Sequence, residues 1–171
     1  MSLDGFIARA DGTIDWLDAV AAEGEDYGYG AYLAGIDTVL LGRRTFDTVR
    51  GFEVWPYAGR RVVVLTRDLD RSPVHGEEYS NAPLPELLDQ LGVSGSRQVY
   101  VDGGAAISAA ITAGALDRLT VSIIPVVLGT GRPLFRLARG DRPLELESVR
   151  SWPSGLVQLA YGLGPGTRPP A

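Results

Sequence analysis

The chain has 171 residues, 45% hydrophobic and 22% charged, the size and composition of one globular domain that can bury a substantial core. A formal net charge of −5 argues against a general nucleic-acid or anionic-membrane surface but leaves room for a local basic pocket. With no cysteine and a single histidine, His75, there is no disulfide framework, thiol nucleophile or histidine cluster at zinc-ligand spacing, so no metal site is expected. The start of the chain lacks the basic and apolar regions of a signal peptide, and no apolar run reaches the ~18 residues of a membrane span, so a cytoplasmic protein is expected.

In chain order, the pattern predicts a strand over Leu3–Ala8, a helix over Tyr27–Leu33, a strand over Thr38–Leu41 and a helix over Arg44–Val49. A strand over Arg61–Thr66, a helix over Pro85–Leu91, a strand over Gln98–Val101 and a helix over Ala105–Ala113 follow. The third helix opens on proline and ends at Gly92, both preferred positions. Three further strands, Leu119–Val127, Leu144–Val149 and Leu156–Tyr161, have no strong helix between them, so the end of the sheet should be antiparallel. The near-continuous apolar runs "DTVLLG", "RRVVVLTR" and "RQVYVDGG" suggest central parallel strands covered on both faces. One domain over residues 1–162 and a frayed tail over 163–171 are expected.

Three of these strands end on polar or glycine signals: Gly42-Arg43-Arg44-Thr45, Thr66-Arg67, and Asp102-Gly103-Gly104. In an open α/β sheet the carboxyl ends of the strands line one edge, where ligands bind. Arginines with hydroxyls suit a phosphate monoester, and bare N–H groups at a helix start suit a pyrophosphate. Taken singly, the arginines read as solvated charges, and the two glycines read as a tight turn that packs a helix on its strand.

Together "MSLDGFIA", "LLGRRTFDTV", "VVVLTR", "YVDGG" and "ALDRLTVSIIPVVLGTGRPLF" resemble the dihydrofolate-reductase-like family, in the branch related to the reductase domain of the bifunctional riboflavin-biosynthesis deaminase-reductase. The resemblance runs in order from Ser2 to about Tyr161. It implies a three-layer α/β fold: a mostly parallel central sheet of about eight strands, an antiparallel C-terminal strand and flanking helices. It also implies NADPH as hydride donor and a homodimer, to which the apolar "LTVSIIPVVL" run would contribute unless that run is sheet core.

Position by position, the resemblance places Gly42, Arg43, Arg44 and Thr45 at a helix start beside the cofactor phosphates. Thr66 and Arg67 face the adenosine 2′-phosphate, and Arg44 and Arg67 become the candidates for preferring NADPH over NADH. Asp102, Gly103 and Gly104, with Ala105 and Ala106, form the turn under the pyrophosphate. Ile7 and Ala8, followed by the "ADGTIDWL" loop, match the segment that closes over the nicotinamide, with Trp16 lining the active site or acting only as a packing anchor.

Hydride transfer asks the protein for alignment, water exclusion and a proton donor. The resemblance makes Asp26, with Glu23 and Glu25 nearby, the candidate carboxylate at the first helix; capping that helix is the alternative. Asp4 is family-typical and could serve by holding its loop. Gly129-Thr130-Gly131-Arg132 could meet a substrate phosphate or make a tight turn. The chain departs from the family in starting almost on the "SLDG" motif, and without cysteine it has no deaminase signature. The expected function is NADPH-dependent reduction of a small molecule, of the riboflavin-pathway type. A folate, pterin or other reductase and a non-catalytic nucleotide-binding module are the alternatives. Neither nucleic acid nor membrane is expected as a partner.

Overall fold

The computed structural model describes residues 1–136 and 141–163, so most of the expected tail lies outside the described residues. In chain order the elements are β1 (Phe6–Ala8), a 3₁₀ helix (Asp15–Val20), α1 (Tyr29–Ala34), β2 (Thr38–Gly42), α2 (Arg43–Val49), β3 (Arg61–Leu65) and β4 (Glu78–Ser80). They continue with α3 (Leu84–Val93), β5 (Val99–Asp102), α4 (Gly104–Thr112), β6 (Arg118–Ile123), β7 (Arg132–Pro133), β8 (Glu145–Ser151) and β9 (Val157–Gly162). Contacts divide the chain into two compact units, one formed by Asp26–Ala110 and the other by Met1–Glu25 with the chain from Ile111 onward.

The Asp26–Ala110 unit is an α/β layer structure on a four-stranded sheet of order β4-β3-β2-β5, parallel throughout. β2 is its axis: Thr38, Val39, Leu40 and Leu41 are at most 2% exposed, as expected of a strand covered on both faces. Val39, Leu41, Val62 and Val64 share one face with Leu33 of α1, Phe46 and Val49 of α2, and Tyr57. Leu40 and Val63 project from the opposite face and are equally buried, so each residue of the alternating strands finds cover. α3 turns Leu84, Leu87 and Leu91 inward at helical spacing. Arg61 clamps the sheet edge through a two-pronged ion pair with Glu78, 2.7 and 2.8 Å.

In the other unit, β6, β9 and β8 form an antiparallel sheet, and β1 pairs with β7. The expected antiparallel end is therefore present. The expected continuous sheet of about eight strands is not: among the described residues, hydrogen bonding separates the strands into three sheets. Two expected strands are shorter for local reasons. Ser2–Gly5 is a turn, closed by Gly5 N–H to Ser2 O (3.0 Å) and Phe6 N–H to Ser2 Oγ (2.9 Å), so β1 begins only at Phe6. β6 stops at Ile123 because Pro125 has no N–H to extend a ladder. Met1–Leu3 nevertheless runs beside Ser122–Val126, with Ile124 N–H to Met1 O and Leu3 N–H to Val126 O both at 2.8 Å. Among the described residues no helix is long and apolar enough to cross a membrane.

Gly131 is the tightest point of the β1–β7 pairing, since a Cβ there would lie 2.4 Å from the carbonyl oxygen of Ala8 and 3.1 Å from the Phe6 ring. Both obstacles are short-range and one is backbone. Gly131→Ala is expected to destabilise the protein by about 1–3 kcal/mol, as overpacking does, measured by urea denaturation; an unchanged midpoint would show that β1 is not held as described.

Candidate functional site at the carboxyl edge of the parallel sheet

Register fixes where the three polar strand ends lie. Gly42 is opposite Leu65, Leu65 is opposite Ser80, and Leu41 is opposite Asp102. The segments that follow, Arg43-Arg44-Thr45, Thr66-Arg67, Asn81-Ala82 and Gly103-Gly104, therefore leave the sheet side by side at its carboxyl edge. The convergence expected from the sequence is present.

Gly103 shows how closely these segments meet. Its φ of +101° is in the left-handed region, and a Cβ built there would lie 2.3 Å from Thr45 Oγ1. Only glycine lets the β5–α4 turn press against the first turn of α2. The Gly103 N–H is taken by Asp102 Oδ1 at 2.7 Å. The next N–H groups, of Gly104, Ala105 and Ala106, open α4 and have no intrahelical acceptor, so they form the natural anion-facing end of that helix. The tight-turn reading of the double glycine holds at Gly103, where the turn packs against α2.

On the β3–β4 side of the same edge is an open cleft of about 700 Å³, lined among others by Arg43, Thr66, Arg67, Arg71, Ser80 and Asn81. Three guanidinium groups with two hydroxyls and an amide are a donor set for a phosphate monoester. Thr66 is buried and its Oγ1 accepts the Asp68 N–H at 3.2 Å, which fixes the start of the loop after β3. Arg67 is exposed and has no protein partner among the described residues. Arg43 lines the cleft, and Arg44, exposed beside it at the start of α2, is not among the lining residues. The ion pair of Arg43 with Asp47, one turn on, holds it there (2.6 Å).

Asp102 is more than part of the turn. Its place opposite Leu41 puts the carboxyl on the face that carries Phe46, Tyr57 and Tyr100. Burial among these rings raises its pKa; the Gly103 N–H and the Tyr57 hydroxyl, 3.4 Å from Oδ2, oppose that shift only in part. Burial likewise raises the Tyr57 and Tyr100 phenols. The sequence offered a signal for this group, an acid ending a buried strand. Asp26, by contrast, is exposed and accepts the N–H groups of Gly28 (2.8 Å) and Gly30 (3.0 Å), so the geometry displays the capping alternative.

In the other unit, Ile7 and Ala8 lie on β1 and Trp16 opens the 3₁₀ helix. Trp16 is 5% exposed, and its buried Nε1 has no acceptor among the described residues. An orphaned indole N–H is a group waiting for a water or ligand. Asp4 holds its loop: its carboxylate accepts the N–H groups of Leu128 (3.1 Å) and Gly129 (2.7 Å) and the Ser2 hydroxyl (2.7 Å). Those bonds, the Ser2 hydroxyl first, keep the Asp4 carboxyl below the usual range. Arg132 donates to the carbonyls of Ala10 and Asp11, 3.4 and 3.0 Å, and so braces the loop before Trp16. Leu119, Val121 and Ile124 are buried, which makes the "LTVSIIPVVL" run sheet core over that stretch.

The architecture is that of an α/β protein whose candidate site lies at the carboxyl edge of a parallel sheet. The chain belongs to the RibD C-terminal domain family, whose model matches residues 1–158. It is 34% identical to protein YwjB of Bacillus subtilis strain 168 over 94% of this chain and 92% of that one. It is 30% identical to the riboflavin biosynthesis protein RibD of Corynebacterium ammoniagenes, covering 84% of this chain and 48% of RibD. Among solved structures, a protein of Shewanella sp. PV-4 provisionally assigned to riboflavin biosynthesis superimposes with a TM-score of 0.87 at 27% identity, over 96% of this chain and 95% of that one.

The raised pKa of Asp102 has a consequence for stability. A carboxyl whose folded pKa lies above its unfolded value costs nothing while protonated and lowers stability as pH rises from the ordinary carboxylate range toward the raised value. Asp102→Asn, which keeps an acceptor for the Gly103 N–H, is expected to be more stable than the parent at about pH 7 and to lose that advantage at about pH 3, where an ordinary aspartic acid is mostly protonated. Urea titrations across this range check it, and a pH-independent difference would count against a carboxyl whose pKa burial raises.

Proposed function

We propose that the protein is an NADPH-dependent reductase acting on a small substrate, of the type that reduces 5-amino-6-(5-phosphoribosylamino)uracil in riboflavin biosynthesis. The observation that carries this reading is the meeting, at one sheet edge, of the arginine-lined cleft and the glycine turn that opens α4. The residues present fit a dinucleotide carrying an extra phosphate. Arg43, Thr66 and Arg67 supply cationic and hydroxyl donors for a 2′-phosphate, the N–H groups of Gly104, Ala105 and Ala106 supply those for a pyrophosphate, and the space before Gly42 is open, with no heavy atom within 4 Å of a built Cβ.

A bound NADPH supplies the hydride, and the protein supplies the rest. Asp102, whose pKa burial raises and which ends the strand leading into the glycine turn, is the candidate to hold a proton for a substrate heteroatom. Tyr57 holds that carboxyl. In the other unit, the buried Trp16 indole N–H is unpaired among the described residues and is open to a water or a ligand atom. Membership in the RibD C-terminal domain family and the relatedness to RibD support the reductase reading.

Loss of NADPH absorbance with the aminopyrimidine phosphate and with dihydrofolate as alternative acceptors tests the reaction. Turnover of dihydrofolate alone would move the substrate to the folate class, and coenzyme binding without turnover of any acceptor would leave only a nucleotide-binding module. Arg43→Ala and Arg67→Ala should each weaken NADPH roughly 10- to 100-fold, the worth of a charged hydrogen bond, and leave NADH nearly unchanged. Equal losses for the two coenzymes would remove the 2′-phosphate from this cleft.

A further inference from the structure

Two arginines line the cleft from different segments and share one carboxylate. Arg43 Nη1 lies 2.6 Å from Asp47 Oδ2, and Arg71 Nη2 lies 2.7 Å from Asp47 Oδ1. Arg71 belongs to no strand or helix, and its position in the loop after β3 gives the sequence no means of pairing it with α2.

We propose that Asp47 is the positioning residue for coenzyme preference, holding Arg43 and Arg71 as a fixed pair of guanidinium groups, with Arg71 a third cationic contact for the 2′-phosphate; this rests on the NADPH reading above. Each arginine gives Asp47 one terminal nitrogen and keeps its remaining N–H groups for another acceptor. The Arg71 guanidinium also lies 5.9 Å from the Phe46 ring centroid and 5.8 Å from that of Tyr79, within cation–π range of both. Those rings do not move freely. Phe46 is fully buried, and the Tyr79 hydroxyl donates to Glu77 Oε1 at 2.5 Å. Glu77, 2% exposed, is held in turn by the N–H groups of Val74 and His75. A chain of contacts from a buried carboxylate through two rings thus ends on a cation whose side chain is only 19% exposed.

Charge and geometry pull in opposite directions here, and that makes the assignment testable. Asp47 and Asp68 offset two of the three arginine charges at the cleft, so removing the Asp47 charge raises the local positive potential. If raw attraction governed the site, Asp47→Asn would bind NADPH more tightly. If orientation governs it, the same change frees two long side chains that repel each other, and their ordering cost falls on the binding step.

Titrations of NADPH, NADH, 2′,5′-ADP and 5′-AMP against the intact protein separate these outcomes. Asp47→Asn should weaken NADPH and 2′,5′-ADP roughly 5- to 150-fold, from about 0.5–1.5 kcal/mol for each of the two side chains newly immobilised, with NADH and 5′-AMP within about twofold. Arg71→Ala should weaken the phosphorylated pair about 10- to 100-fold with the same selectivity, and Arg71→Lys should recover part of the loss. A purely structural role would change both pairs alike, which overturns the proposal, as does Asp47→Asn with unchanged or tighter NADPH. Arg71→Ala tests the contact independently should Asp47→Asn fail to fold. A parent protein that prefers NADPH while both variants keep that preference defeats this inference alone; a parent that binds none of the four probes defeats the NADPH reading as well.

Discussion

Parallel pairing without a register shift is the constraint on which the site depends. In a parallel ladder each strand's backbone bonds fix its neighbour's offset, and β2 bonds on both sides, to β3 and β5. Its burial leaves no alternative, because slipping by one residue would turn Val39 and Leu41 away from Phe46 and put Leu40 in their place. Gly42, Leu65, Ser80 and Asp102 are therefore held level, and the segments after them inherit that alignment. Chemistry drawn from four separate stretches of sequence is assembled by hydrogen bonds that carry none of it.

The same edge places opposite electrostatic environments next to each other. On the cleft side, arginines with partial access to water stay charged and are ordered by Asp47. On the Tyr57 and Tyr100 side, a carboxyl and two phenols are packed among rings and are pushed toward their neutral forms. A cationic cluster and a carboxyl whose pKa burial raises thus sit along one sheet edge of a protein whose net charge of −5 suggests neither. Net charge describes the whole surface; a site is set by which side chains lose their water.

The legible parts of the sequence were those with long, repeated signals. β2, β3 and β5 are runs of branched residues ending on glycine or polar groups, and α3 and α4 keep their spacing over nine or ten residues, so all five elements fall within a residue or two of their expected bounds. β4 and β7, at three and two residues, are too short and too polar to carry a period, and the sequence gives no reason to expect them. Choosing between Arg43 and Arg44 requires the rotational phase of a seven-residue helix, which composition does not contain; the ion pair with Asp47 sets it. Arg71 sits in a loop, where contacts are decided entirely by tertiary structure. Asp102 was visible but absorbed into the turn, because its burial depends on Tyr57, forty-five positions away.

Two glycine-rich turns show why composition alone does not make a phosphate site. Gly103-Gly104 and Gly129-Thr130-Gly131-Arg132 both follow apolar runs, and the second even carries its own arginine. Accounting for the backbone donors separates them. At the second turn, Asp4 takes the N–H groups of Leu128 and Gly129, Arg132 is engaged with two carbonyls, and Gly131 is small so that Ala8 can approach. Two of its backbone donors and its arginine are thus already engaged within the protein. At the first turn the Gly103 N–H is taken by Asp102, and the N–H groups of Gly104, Ala105 and Ala106 have no intrahelical acceptor at the sheet edge. An anion site is therefore recognised less by the glycines than by which N–H groups the fold has left without an acceptor.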